Sequence, residues 1–184
     1  MIRYIADTHF DSEDLIFYDN RPFETAEEMN EALIANWNRV VGDEDTTYIV
    51  GDFHAGDAFR WRATLEKLNG KKILIKGNHD EWDVIEAVRD LFEDVAEYKE
   101  IRDGEDQVVL CHYPSPAFHN HYFGWIHLYG HVHSAFEANI LEKNKDLLKK
   151  LYANEGVCRM ANVGAMMPYM DYTPRTLAEL KEVL

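Results

Sequence analysis

Lys72-Ile73-Leu74-Ile75-Lys76-Gly77-Asn78-His79-Asp80 is the stretch on which the reading of this chain turns. Its apolar centre, Ile73–Ile75, has the length and bounding residues of a buried strand. Trp82, Ile85, Val88 and Phe92 follow at helical spacing. Gly77-Asn78-His79-Asp80 therefore lies where a strand hands over to a helix, the edge at which α/β sheets bind ligands. Asn78 offers a carbonyl oxygen that adds no negative charge. His79 is a candidate general acid. Asp80 can hold the imidazole protonated and oriented, or cap the helix, or do both. Asn78 is the other candidate cap.

The same arrangement recurs outward in both directions. Ile2–Ala6 runs into Asp7-Thr8-His9, and Tyr48–Val50 into Gly51-Asp52. Val108–Cys111 runs into His112, and Ile126–Tyr129 into Gly130-His131-Val132-His133. Val95–Ile101 and Met160–Val163 are weaker strand candidates. In an extended segment residues i and i+2 face the same way, so Asp7 with His9, and His131 with His133, can each grip one ion. Gly51 permits a sharp turn and the close approach of another group. The carboxylate of Asp52 can bridge two cations, which a neutral imidazole cannot, and Asp52 is assigned that role. Asp, Asn and His are the side chains that hold first-row divalent metals. Their order and strand context point to a two-metal hydrolase.

Helical patterns alternate with these runs. Thr25-Ala26-Glu27-Glu28 has the form of a capping box ahead of Met29, Leu33, Trp37 and Val40. Ala58, Trp61, Leu65 and Leu68 make another stripe. Glu142–Tyr152 reads as a surface helix, and Thr173-Pro174 as a cap opening a helix with Leu177, Leu180 and Leu184. The expectation is one α/β domain over residues 1–184, with no repeat or linker. The alternation is clearer in the first half. The second half looks more like consecutive strands, so the sheets are expected to be mixed or stacked.

The ordered set of five blocks resembles the calcineurin-like metallophosphoesterase family, which carries Asp-x-His, Gly-Asp, Gly-Asn-His-Asp/Glu, a lone His and Gly-His-x-His in that order. Asn162-Val163-Gly164, with Pro174 beyond, resembles the closing strand and tail. The resemblance implies a layered α/β/β/α sandwich, two mixed sheets flanked by helices, with the metal site at the strand carboxyl ends. It implies that Asp7, His9, Asp52 and His133 hold one divalent ion and that Asp52, Asn78, His112 and His131 hold the other. A bridging hydroxide would attack phosphorus in line, with His79 protonating the leaving oxygen. Mixed N/O ligation suits manganese first, with iron, zinc or nickel open. One departure stands out. Related small bacterial and phage-type members often read Asp-Thr-His-Phe-Gly-His, whereas this chain has Asp11-Ser12 after Phe10. Asp11, Glu13 and Asp14 make that loop acidic, which repels a second phosphate.

Composition bounds the rest. The chain has 184 residues, 46% of them hydrophobic, enough for a real core. No apolar run reaches the ~20 residues that span a bilayer, and no leader is apparent, so a cytoplasmic setting is the default. Cys111 and Cys158 are expected as reduced, buried thiols. A net charge of −15 argues against a long nucleic-acid partner, leaving a small phosphate ester as substrate and homo-oligomerisation open. The alternatives carried beside the phosphoesterase are a non-catalytic interaction module on the same scaffold and a nuclease. His54 is expected as a solvated residue entering the next helix, and His127 as alternating out of the strand face. His119 and His121 lie in the aromatic loop 118–125, which can line the pocket, mediate a subunit contact or pack over the sheet edge.

Overall fold

The computed structural model describes residues 1–133, 136–154 and 156–184. Strand and helix alternate through the first half: β1 (Ile2–Ile5), α1 (Glu13–Tyr18), α2 (Ala26–Val40), β2 (Thr46–Ile49), α3 (Ala58–Leu65), β3 (Lys71–Ile75), α4 (Trp82–Ala87) and β4 (Asp94–Ala96). The four strands lie side by side in that order and are parallel throughout. Parallel neighbours need crossovers, and α2, α3 and α4 sit in those connections.

The second sheet comprises β5 (Tyr98–Asp103), β6 (Asp106–Cys111), β7 (Ile126–Tyr129) and β8 (Arg159–Asn162), with α5 (Phe136–Tyr152) before β8 and α6 (Leu177–Leu180) after it. Its order is β5-β6-β7-β8. β5 and β6 form an antiparallel hairpin, and the other pairs are parallel. The layered α/β architecture with two sheets and flanking helices is therefore present, and of the two sheets the second is the mixed one. The expected strand over Val95–Ile101 divides. β4 ends at Ala96 and β5 begins at Tyr98, so the chain changes sheet at Glu97.

Alternation of side chains joins the sheets. Tyr4, Ile5, Ile49, Leu74 and Ile75 of the first sheet share one apolar cluster with Val108, Leu110, Ile126, Leu128 and Ala161 of the second. The intervening residues Val109, Tyr129 and Met160 face the other way and pack with Leu141 and Val157. Each fully buried Leu or Ile is worth about 1.5–3 kcal/mol relative to exposure, and the same cluster takes in Met29, Leu33 and Trp37 of α2 and Trp61 and Leu65 of α3.

Helix starts follow their caps, with adjustments. Thr25 Oγ1 accepts from Glu28 N, while the Glu28 carboxylate reaches back to Glu24 N, one residue beyond the expected box. The last helix opens later than Thr173-Pro174 implies. Arg175 first bridges β1 through Tyr4, and the cap is Thr176, in a closed box with Glu179. Helix α5 begins before Glu142, and its Lys145 is buried, donating to the Met160 carbonyl at 3.2 Å. Both cysteines are free thiols. Among the described residues, no helix is long and apolar enough to cross a membrane.

Candidate metal centre

The strand-pleat argument for Asp7/His9 and His131/His133 is corrected by the backbone. β1 stops at Ile5 and β7 at Tyr129, so each pair lies in a loop beyond its strand. Asp7 (φ 51°), His9 (46°), Asp52 (54°), His131 (72°) and His133 (46°) are all left-handed. That region costs non-glycine residues energy and gathers at functional sites. Left-handed residues at i and i+2, not the pleat, turn each pair inward. Neighbouring loops hold them there, with Asp7 N donating to Gly51 O at 3.0 Å and His9 N to Asp52 O at 3.1 Å.

Seen from the ligand atoms, the blocks converge. Asp52 Oδ2 lies 3.6 Å from His9 Nε2 and 3.3 Å from His112 Nε2. Asp7 Oδ1 lies 3.7 Å from His133 Nε2. Ligand atoms of Asp7, His9, Asp52 and His133 all fall within 4.8 Å of one another. Asn78 Oδ1 stands 3.0 Å from His112 Nε2 and 2.8 Å from His131 Nδ1. The seven candidate ligands thus form two groups that meet at the Asp52 carboxylate. A cavity of about 240 Å³ opens over them, with Leu15 and Tyr18 of α1 as a wall. His79 lines its mouth, exposed, its ring edge-on to His9 at 5.4 Å between centroids.

The donor set fits a divalent cation. His9 Nε2 is buried without a hydrogen-bond partner, beside a carboxylate that it does not reach. Leaving a buried polar nitrogen unsatisfied costs about 1–3 kcal/mol, and a cation between the two would satisfy both. The ring tautomers agree. His112 Nδ1 donates to Val50 O at 2.9 Å, which frees Nε2. His133 Nδ1 pairs with Asp19 Oδ1 at 2.7 Å, which frees Nε2 toward Asp7. A carboxylate or carbonyl behind an imidazole fixes its tautomer and raises its basicity as a ligand.

Packing is tight enough to demand glycine at Gly51 and at Gly77. A Cβ on Gly51, whose φ is +88°, would stand 2.3 Å from His112 Nδ1, and one on Gly77 would stand 2.2 Å from Asp52 Oδ1. Both are close approaches of backbone to a candidate ligand, the use of glycine expected for Gly51.

The role expected for Asp80 changes. Its buried carboxylate accepts from Asp52 N at 2.9 Å, Phe53 N at 2.9 Å and Gly77 N at 2.8 Å. It is committed to backbone amides and does not orient the His79 imidazole. Nor do Asn78 or Asp80 cap α4, whose N-cap is Glu81. Asp80 instead ties the loop after β3 to the loop after β2. Asp52 adds to the tie by accepting from His79 N at 2.8 Å.

Charge within the cluster is shaped by burial and by the partners. Burial pushes the Asp7 carboxyl up to about 6, against the pull of His133 and His112. Burial also opposes ionisation of Asp52, but the hydrogen bond and charge of His112 outweigh it and hold Asp52 at about 2. Burial lowers His9 to about 3 despite Asp52. For His112 burial is overcome by Asp52 and Asp7, and the imidazole rises to about 8. The ligand-free cluster therefore holds a proton on His112 that a cation would displace.

Sequence reasoning missed two residues. Arg21 is buried, donating to Asp7 O and Thr8 O at 2.9 Å each and to Asp19 Oδ2 at 2.8 Å. Asp19 in turn holds His133. The only signal was a charged pair around Asn20 directly after a short helix, which reads as an ordinary turn.

The other histidines find structural partners. His54 is buried, not solvated; its Nδ1 accepts from Gly56 N at 2.8 Å and its Nε2 faces Thr64 Oγ1 at 3.1 Å, so neither nitrogen is free for a metal. His127 turns away from the shared core yet is fully buried, between the Val109 and Tyr113 carbonyls. His119 pairs with Glu100 on the surface, and His121 is buried beside Phe118 and Tyr152. Phe118 and Trp125 pack on the outer cluster, which makes the 118–125 loop a cover for the sheet.

Comparison with known proteins agrees with this geometry. The chain is 40% identical to an uncharacterised protein of Methanocaldococcus jannaschii, over 72% of this chain and 69% of that one. It is 30% identical to the gene 66 protein of Mycobacterium phage L5, over 59% of this chain and 66% of that one. A crystal structure of a protein of unknown function from Aquifex aeolicus superposes with a TM-score of 0.73 at 25% identity, covering 100% of this chain and 99% of its own. The family model described as calcineurin-like phosphoesterase matches residues 2–158. On that match the chain belongs to the calcineurin-like phosphoesterases, a family of metal-binding phosphoester hydrolases.

Proposed function

We propose that this chain is a dinuclear metal-dependent phosphoesterase acting on a small phosphodiester or phosphomonoester. The observation that carries the reading is the Asp52 carboxylate set between His9 at 3.6 Å and His112 at 3.3 Å, at the junction of two ligand groups. Asp7, His9, Asp52 and His133 hold one cation in this proposal, and Asp52, Asn78, His112 and His131 hold the other. Two such ions, when bound, supply Lewis-acid stabilisation of the phosphoryl oxygens and an activated water at neutral pH. Manganese is the first choice, with iron, zinc or nickel open.

The chain's own groups do the rest. Asp19 and the Val50 carbonyl set the tautomers of His133 and His112. Arg21 pins the Asp7–Thr8 backbone. His79 stands at the cavity mouth outside both ligand groups, where it donates a proton to the departing alkoxide. The net charge of −15 favours a small ester over a long nucleic acid. A cytoplasmic setting belongs to the same proposal, supported by the two free thiols.

The test is hydrolysis of chromogenic mono- and diesters by protein stripped with EDTA and then reloaded with manganese. Loss on stripping and recovery on reloading support the reading. Full activity in chelator, or no hydrolysis of any ester by protein shown to hold two ions, refutes it.

A further inference from the structure

Beside the metal centre lies a second cavity of about 360 Å³, walled by Tyr113, Pro114, Val132, Ile140 and Leu141. His131 lines both cavities. The Tyr113 ring stands edge-on to His131, 4.7 Å between centroids at 70°. On its other side, His131 Nδ1 is 2.8 Å from Asn78 Oδ1. One imidazole's width therefore separates this groove from the candidate ligand oxygen. Tyr113 and Ile140 form an open rim at 49% and 46% exposure, while Val132 and Leu141 are its buried floor.

An apolar concavity that meets a few convergent polar groups has the make-up of a small-molecule subsite. Among the described residues, Glu137 is the one charged residue on the groove wall, and no lysine or arginine lines either cavity. A second phosphate seated in the groove would meet the Glu137 carboxylate and, among the described residues, no cationic side chain. An uncharged apolar group would bury against aliphatic and aromatic side chains. The opposite end of the centre is similar, with the exposed Tyr18 ring edge-on to His133 at 6.0 Å and 83°. Each ligand group thus has an exposed tyrosine against one of its histidines.

We infer that the Tyr113–Ile140 groove is the subsite for one ester arm, and that the substrate is a phosphodiester carrying at least one uncharged apolar arm, aryl or branched alkyl. The His79 ring packs against His9, in the other ligand group from His131. The leaving oxygen therefore faces His79, and the groove takes the arm that stays on phosphorus. This deepens the phosphoesterase reading above and rests on it.

Two esters isolate the retained arm: bis(p-nitrophenyl) phosphate and methyl p-nitrophenyl phosphate release the same nitrophenolate. With manganese-loaded protein, the aryl arm lowers KM about tenfold relative to methyl, within the range an apolar pocket can discriminate. Ile140→Lys and Tyr113→Ala each bring the KM ratio of the two esters toward one. A ratio near one in the unaltered protein, or a ratio unmoved by both variants, overturns the subsite. A binding readout separates this from the activity itself. Diphenyl phosphate titrated into the protein shifts the NMR methyl signals of Val132, Ile140 and Leu141, and Tyr113→Ala abolishes those shifts. Methyl shifts without hydrolysis of any ester would sink the phosphoesterase reading and leave the groove standing. Hydrolysis without methyl shifts would do the reverse.

Discussion

Replacing Asp19 by Asn leaves every candidate ligand in place and removes only the carboxylate behind His133. Asp19 Oδ1 lies 2.7 Å from His133 Nδ1, and its Oδ2 accepts from Arg21 at 2.8 and 3.0 Å. Losing the partner that orients a ligating imidazole costs about 10–100-fold in metal affinity, or about 1.4–2.8 kcal/mol at 1.4 kcal/mol per tenfold. The loss should fall on one ion, because His133 belongs to the group of Asp7, His9 and Asp52 and not to that of Asn78 and His131. Arg21 also loses its charged partner but keeps the Asp7 and Thr8 carbonyls. Hydrogen bonds to charged groups are worth about 1.5–3 kcal/mol, which for a chain of this length lowers Tm by roughly 3–12 °C. Manganese titration by calorimetry reads the affinities, and thermal unfolding of metal-free protein reads the second effect. A variant that binds two ions with unchanged affinities would refute the orienting role. Equal weakening of both would refute the division into two groups.

Asp52→Asn should weaken both ions together, since its carboxylate stands between the two groups; two tightly bound ions with full turnover would remove the bridging assignment. His79→Ala should keep metal binding and lower kcat by about 10²–10⁴-fold; unchanged turnover would eliminate it as the acid. In metal-free protein His112 is raised from 6.5 to about 8, so the folded state binds more protons there. Its contribution is complete below about pH 6.5 and is lost as pH climbs through 8. Thermal midpoints of stripped protein should accordingly fall over that window relative to a His112→Asn variant, and parallel profiles would show that His112 is not the group responsible. Metal uptake at pH 7 should release a proton, visible as a calorimetric enthalpy that depends on the buffer's ionisation heat; a buffer-independent enthalpy would contradict the protonated His112.

The strands were legible because each apolar run ends abruptly in a polar block, and the α/β class followed from their alternation with helical stripes; the order of strands within each sheet was not. What eluded the sequence was local backbone geometry. Asp7, His9, His131 and His133 do converge, but through left-handed residues past the strand ends, a conformation that no periodicity encodes. Asp80 looked like a partner for its neighbour His79. Its actual partners include Asp52 N and Phe53 N, which lie 28 and 27 positions away in the chain. Arg21 and Asp19 carry no motif at all, because a buried ion pair that supports a ligand is defined by three-dimensional contacts. Thr173-Pro174 misled because Thr176 and Glu179 close a better box three residues later.

The ligand groups draw on both sheets. Asp7, Asp52 and Asn78 follow strands of the first sheet, whereas His112, His131 and His133 follow strands of the second. Any ion seated among them is therefore a rivet through the sandwich, resisting shear between its halves in a way that apolar packing does not. Heat resistance should then climb with free metal as RT ln(1 + [L]/Kd), and the stripped molecule should exchange amide hydrogens fastest along the seam where the halves meet.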